Sequence, residues 1–322
     1  MKKRQSEQGL IAKITRGSKG NRVSAMVLAP GDDAALWSPG AGRDTILTCD
    51  WFLEGTHFLR DKHPADAVGW KCLARAVSDI AAMGGQARCF LLSLALPPQL
   101  TGAWLDEFLR GLRRASRALH CAMAGGDTTK GDAVLISVTV IGEVRRREAV
   151  LRSGARAGDA IFVSGVLGEA DLGLRQLRRV RGLAKPSNAA LRKHLYPRPR
   201  LELGQWLARN DYATAMMDLS DGLSTDLPRL CAASGVGAEI YGDSLPVTKL
   251  TDALDARRLA LHGGDDYELL FTVRRKDASR LPKAFHGLRL TKIGEITPAR
   301  NIRLITAGES VPLASGGWDP FR

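Results

Sequence analysis

Short apolar runs alternate with helical spacings along residues 22–150. Thr45-Ile46-Leu47-Thr48 predicts a strand, as does Phe90 to Leu96, which Pro97-Pro98 ends. Val134 to Ile141 is the strongest such run, rich in β-branched residues. Between these runs Val68, Lys71, Cys72, Arg75 and Asp79 recur at helical spacing, with Trp70, Leu73, Val77 and Ile80 covering the apolar face. A second helix is predicted from about Gly102 to Leu119. A second half begins near Leu151, where Asp159 to Gly165 reads as strand then turn. Helices follow around 168–180 and 199–209, with Pro199 suited to a first turn. Ala213–Met217 is a short strand, a helix opens at about Asp221, and Tyr267–Val273, Leu288–Ile296 and Ile302–Ile305 are strands. Strands and helices mixed in both halves imply an α/β (α+β) chain of two domains, 1–149 and 150–322, which suits its 322 residues.

Composition changes this picture little. Hydrophobic residues make up 44% of the chain, ample for packed cores, which excludes disorder. No apolar run reaches the ~18 residues of a membrane span. Gln5-Ser6-Glu7-Gln8 follows the basic start where a signal peptide would carry its apolar stretch, so a cytoplasmic protein without membrane association is expected. The five cysteines are scattered, with no C-x-x-C spacing, and read as reduced small hydrophobes. The net charge of +13 raises a different class, a basic nucleic-acid-binding protein. Its clusters (Arg110 to Arg117, Arg145 to Arg147, Arg175 to Arg181, Arg192 to Arg200) lack interleaved aromatics apart from Tyr196. They read as solvated helix faces and loops, with no specific nucleic-acid partner expected, and a basic surface attracts polyanionic substrates.

The informative residues are aspartates set in small-residue turns: Gly31-Asp32-Asp33-Ala34-Ala35, Thr48-Cys49-Asp50, Ser78-Asp79 in a helix that Gly84-Gly85 stops, and Gly125-Gly126-Asp127-Thr128-Thr129 before a strand. In the second half Met217-Asp218-Leu219-Ser220-Asp221-Gly222 closes a strand and opens a helix, and Gly263-Gly264-Asp265-Asp266-Tyr267 does the reverse. Each pair alone is ordinary turn chemistry. As a set, acids at strand ends and helix starts without histidine or cysteine companions are the ligand chemistry of hard cations such as Mg²⁺. Adjacent glycines let backbone amides approach phosphate oxygens. There is no P-loop and no protein-kinase H-R-D or D-F-G set, so a nucleotide must be held by metals, glycine amides and scattered cations.

In this order, and with Glu54-Gly55-Thr56-His57-Phe58, Arg152-Ser153-Gly154-Ala155, Gly264-Asp265-Asp266-Tyr267-Glu268-Leu269 and Gly317-Trp318, the motifs resemble those of thiamine-monophosphate kinases over about residues 22–322. The resemblance implies the two-domain fold shared with aminoimidazole-ribotide synthetases. An N-terminal domain would pair with a second copy as a homodimer, an α/β C-terminal domain would follow, and ATP would lie in their shared cleft. It implies ATP-dependent phosphorylation of thiamine monophosphate assisted by several Mg²⁺ ions. Carried over, Asp33, Thr48, Asp50, Asp79, Asp127, Asp218 and Asp221 are the expected magnesium ligands. Gly126, Asp127, Arg152 and Ser220 are the expected nucleotide contacts, and His57, Asp265 and Trp318 the contacts to thiamine phosphate. Cys49 stands where the family usually has Thr; a thiol is a poor magnesium ligand, which leaves only its backbone carbonyl to contribute. Asp265 stands for a usual Glu, one methylene shorter with the charge kept. No general base is expected, because the acceptor phosphate is itself a nucleophile. The alternative within the superfamily is a sibling synthetase that activates another acceptor with ATP; no cysteine precedes Cys49 and the tail ends Asp319-Pro320-Phe321-Arg322, unlike siblings that use an N-terminal or C-terminal Cys.

Overall fold

The computed structural model describes residues 13–14, 26–28, 36–319 and 321. The chain divides into two compact units: residues 1–80, 85–147 and 177–185 in the first, 81–84, 148–176 and 186–322 in the second.

In the first unit Met26–Leu28 (β1) and Leu36–Trp37 (β2) pair antiparallel. The main sheet is built from Arg43–Leu53 (β3), Gln86–Leu96 (β4), Ala122–Lys130 (β5) and Leu135–Arg145 (β6), in the order β3-β6-β4-β5. Only β4 and β5 run parallel. The helices are Ala65–Ala82 (α1) and Ala103–Ala118 (α2). One face of the sheet carries Ile46, Phe52, Phe90, Leu92 and Leu94, all buried with Leu73, Ile80, Leu105 and Phe108 of the helices. This period-two burial in strands against period 3.6 in helices is what the sequence pattern predicts. β5 is an addition: Gly125 to Thr129 precedes β6 as expected but itself lies inside a strand, because glycines depress strand propensity and mask the pairing with β4.

The two helices approach closely through glycine. A side-chain carbon at Gly111 would overlap the carbonyl of Asp66, and one at Gly69 would overlap that of Phe108.

The second unit centres on a larger sheet. Its strands are Ala160–Ser164 (β7), Ala213–Asp218 (β8), Gly237–Tyr241 (β9), Leu269–Val273 (β10), Ala284–Phe285 (β11), Leu288–Thr297 (β12), Ile302–Thr306 (β13) and Glu309–Pro312 (β14). The order is β14-β13-β9-β12-β7-β10-β8, with β11 pairing β12. Its helices are Glu169–Arg179 (α3), Ala189–Leu195 (α4), Leu201–Arg209 (α5), Leu223–Ser234 (α6) and Ala253–His262 (α7). Pro199 lies before the Arg200 cap of α5 and outside the predicted first turn. Ile161, Val163, Ala215, Met217 and Leu270 pack with α6 and α7 in one core. Phe162, Met216, Leu269 and Phe271 pack with Leu203 and Leu207 of α5 in another. Residues β7 and β10 are buried throughout, as strands covered on both faces require. Among the described residues no helix is long and apolar enough to cross a membrane.

Gly111→Ala should lower stability by roughly 1–3 kcal/mol, the usual cost of overpacking. The check is the urea midpoint at unchanged slope, and an unaltered midpoint would contradict the close approach of α1 and α2.

Candidate active site

β3 pairs with β6 without a break from Arg43↔Arg145 to Leu53↔Leu135. Strand alternation therefore puts Thr48 and Asp50 on the side of buried Ile46 and Phe52, against α1. There Thr48 Oγ1 donates to Asp79 Oδ2 of α1. Arg75, one turn earlier, reaches Asp50 at 3.4 Å and lies over the Phe52 ring, 5.4 Å from its centroid. Three of the expected ligands in this unit are thus gathered on one face. Asp127 is not among them: it is in register with Ser93, and Ser93 with Ser137 and Trp51, on the other face. The Cys49 thiol also points that way, 3.3 Å from Ser137 Oγ, turned from Thr48 and Asp50. Gly126 is in register with Leu92, whose carbonyl a side chain at 126 would overlap. Asp33 lies outside the described residues. His57 follows β3; the Leu53 amide donates to its Nδ1 at 3.0 Å, which leaves the ring proton on Nε2.

In the second unit β8 ends at Asp218, which is buried and in register with Leu269. The chain then turns through Leu219 to Gly222 into α6. The Leu219 amide donates to the Glu268 carbonyl (2.8 Å), the Tyr267 amide to the Leu219 carbonyl (2.9 Å), and the Asp265 amide to the Ser220 carbonyl (2.8 Å). The Trp318 amide donates to the Asp221 carbonyl at 2.9 Å. Expected metal, nucleotide and substrate residues thereby meet on one turn. Arg152 stands apart from that turn; its carbonyl accepts from Ser234 Oγ at 3.0 Å. The Asp265 carboxylate accepts from the Tyr267 hydroxyl at 2.8 Å and lies 3.8 Å from His194 Nδ1.

Sequence reading missed the group that shapes this turn. Asp226 is buried, and its Oδ2 accepts from the amides of both Ser220 and Asp221 at 3.0 Å. Asp226, one turn into α6, thus holds the two amides that precede the helix, whose N-terminal Gly222 has no side-chain cap, while the Asp221 carboxylate pairs with Arg229 at 2.6 Å. Burial pushes the Asp226 carboxyl up to about 6, against the amide bonds and Arg229. An acid in the first turn of a predicted helix was the available signal.

Glu268 was missed too. It is fully buried, and Arg200 grips it through Nε at 2.7 Å and Nη2 at 2.5 Å, with Lys193 at 3.0 Å and Ser164 Oγ at 2.6 Å. Burial pushes this carboxyl up, but Lys193, Arg200 and Ser164 outweigh it and hold it below the usual range. Next to it Asp266 accepts from the amides of Gly168 and Ala170 at the start of α3.

Among the described residues no three His, Cys, Asp or Glu side chains converge to hold an ion unaided. The donor set still suits magnesium: oxygen donors only, with a hydroxyl shared with a carboxylate.

Residues 31–144 match the model of the AIR synthase related protein, N-terminal domain, and 156–307 that of the AIR synthase related protein, C-terminal domain. The thiamine-monophosphate kinase of Escherichia coli (strain K12) is 36% identical over 327 residues, 98% of each chain. The chain belongs to the thiamine-monophosphate kinase family. The crystal structure of thiamine-monophosphate kinase from Stenotrophomonas maltophilia K279a has a TM-score of 0.81 and 36% identity, covering 94% of this chain and 96% of that one. AaThiL complexed with AMPPCP and TMP has a TM-score of 0.75 and 32% identity, over 97% of each chain. The fold is that of the family, two AIR-synthase-type domains of mixed α/β structure.

Glu268→Gln leaves Arg200 and Lys193 undercompensated in the interior and should cost roughly 3–5 kcal/mol in urea unfolding. With its folded pKa below the unfolded one, Glu268 contributes stability above about pH 4.3, and that contribution is lost as pH falls through the folded value. The gap in midpoint between the parent and variant proteins should therefore close on acidification; a constant gap would contradict an ionised Glu268.

Proposed function

We propose that this chain transfers the γ-phosphoryl group of ATP to the phosphate of thiamine monophosphate, giving thiamine diphosphate, in the cytoplasm and with several Mg²⁺ ions. The observation that carries this reading is the turn Ser220–Gly222, where Asp265 and Trp318 are tied by backbone bonds to Ser220 and Asp221. Asp33, Thr48, Asp50, Asp79, Asp127, Asp218 and Asp221 are the proposed magnesium ligands, direct or through water. Gly126, Asp127, Arg152 and Ser220 serve the nucleotide; His57, Asp265 and Trp318 serve the acceptor. Residues 1–149 supply the first set of metal and ATP loops and the dimer face, and 150–322 the second set.

The acceptor is a phosphate monoester with a second pKa of about 6, so it is mostly dianionic at pH 7 and attacks without a base. That agrees with a site built of acids already engaged with hydroxyl, amide and arginine partners. When bound, magnesium offsets the charge of two meeting polyanions and of the transferring phosphoryl group. Trp318, 47% exposed, offers an indole face to the cationic thiazolium. Transfer is direct and in line, with no phosphoenzyme.

A homodimer is the second part of the proposal. The outer face of the first sheet leaves Leu47 69% and Trp51 58% exposed, beside Leu91 and Leu135. Its centre carries Cys49, Ser93, Ser137 and Thr139, all uncharged, with Asp127 on the edge strand β5, so a second copy meets an uncharged middle.

With ATP, Mg²⁺ and thiamine monophosphate, chromatography should show thiamine diphosphate, none from free thiamine, and no γ-phosphate label left on the protein. Asp218→Asn should lower the rate by about 100-fold or more, the scale of several kcal/mol of lost charge stabilisation. ATP consumed on another acceptor instead would move the activity to a sibling synthetase. In light scattering Trp51→Glu should halve the mass of the assembly; a parent protein already at the mass of one chain would refute the dimer.

A further inference from the structure

Beyond β14 the chain returns across the start of α6. The Leu313 amide donates to the Ile302 carbonyl at 3.0 Å, and from there Ser315 to Trp318 lie along Asp221 to Thr225. Ser315 Oγ is 3.1 Å from Thr225 Oγ1, and the Gly316 amide donates to Ser224 Oγ at 3.2 Å. Ser224 is buried, and its hydroxyl is 2.8 Å from His262 Nδ1. Burial and Arg258 hold His262 below its ordinary value, so the ring is neutral and shares one proton with the Ser224 hydroxyl, whose oxygen accepts from Gly316.

Two glycines make this path passable. A side chain at Gly316 would stand 2.7 Å from His262 Nδ1, and one at Gly317 would overlap the Asp221 carbonyl and Thr225 Oγ1. The strap can lie flat only because both are absent. Trp318 is then held by its amide bond to Asp221, while its indole stays half exposed. Asp221 is gripped from both sides, its own amide by Asp226 and its carbonyl by Trp318.

We propose that Ser224, Gly316 and Gly317 are positioning residues that fix Trp318 to the Asp221 peptide, so that the acceptor-side aromatic and the nucleotide-side turn are ordered as one piece. The proposal rests on the roles assigned above to Trp318, Ser220 and Asp221. None of the three positioning residues needs to touch a substrate; they act by setting where the indole stands.

Gly317→Ala and Ser224→Ala test it through two readouts, hydrogen exchange of the segment 313–319 without ligands and steady-state rates. The parent strap should exchange slowly and both variants faster, since a single lost latch opens a weakly packed tail. The KM for thiamine monophosphate should rise about tenfold in Gly317→Ala, with kcat and the KM for ATP within about twofold. Retained slow exchange in Gly317→Ala, or fast exchange with an unchanged acceptor KM, overturns the proposal. Gly317→Ala lies in an exposed tail, so it keeps the test open if Ser224→Ala fails to fold. A parent protein that is inactive on thiamine monophosphate but exchanges slowly in this segment would sink the reaction assigned above while upholding the strap.

Discussion

Glu268 carries its charge where water does not reach, between Ser164, Lys193 and Arg200. An ion in that position costs several kcal/mol unless its partners are placed well. Here the partners come from distant segments: β7, α4 and the start of α5. The requirement to neutralise one carboxylate therefore fixes where those segments sit around the loop that leads into β10. The same loop holds the Asp265 carboxylate against the Tyr267 hydroxyl and offers its backbone to Leu219 and Ser220. The turn after β8 is thus held on one side by the loop that this interior charge balance fixes, and on the other by Asp226.

Three of the acids proposed as ligands already have side-chain partners. Asp50 faces Arg75, Asp221 faces Arg229, and Thr48 gives its proton to Asp79. Partly exposed ion pairs of this kind contribute little, on the order of 1 kcal/mol or less. They keep a concentration of negative charge compatible with folding without binding it so tightly that it cannot be exchanged. The strongly basic sequence takes a different meaning in this light. Arg175 bridges Asp171 and Asp255, and Arg200 is turned inward to Glu268. Part of the charge that suggests a nucleic-acid surface is consumed within the chain.

The long periodic elements were legible from sequence because burial leaves an unmistakable mark on them. β6 emerged from its β-branched run over Val134 to Ile141, where the strand runs on to Arg145, and α1 emerged from its helical spacing. α7 went unseen although Asp252 caps it with bonds to Leu254 and Asp255, since it is only ten residues long and its apolar residues do not fall on one face: Leu254 is exposed while Ala256, Leu259, Ala260 and Leu261 are buried. β9 is only five residues long and begins with glycine. The motif aspartates were visible as a set, but their placement was not. That Asp127 faces away from Thr48 depends on strand register, and that Asp226 shapes the Ser220 turn depends on a buried contact; neither leaves a local signature.

β3 joins two surfaces in a single row of residues. Its even positions, Ile46, Thr48, Asp50 and Phe52, face α1; its odd positions, Leu47, Cys49 and Trp51, face outward. Because side chains alternate with a period of two, the two surfaces can diverge through substitutions independently of each other. They cannot diverge through changes of length. Inserting or deleting one residue before Thr48 would exchange inside for outside along the rest of the strand, burying tryptophan where aspartate belongs. Relatives of this chain should accordingly tolerate varied letters in this stretch while keeping its count of residues fixed.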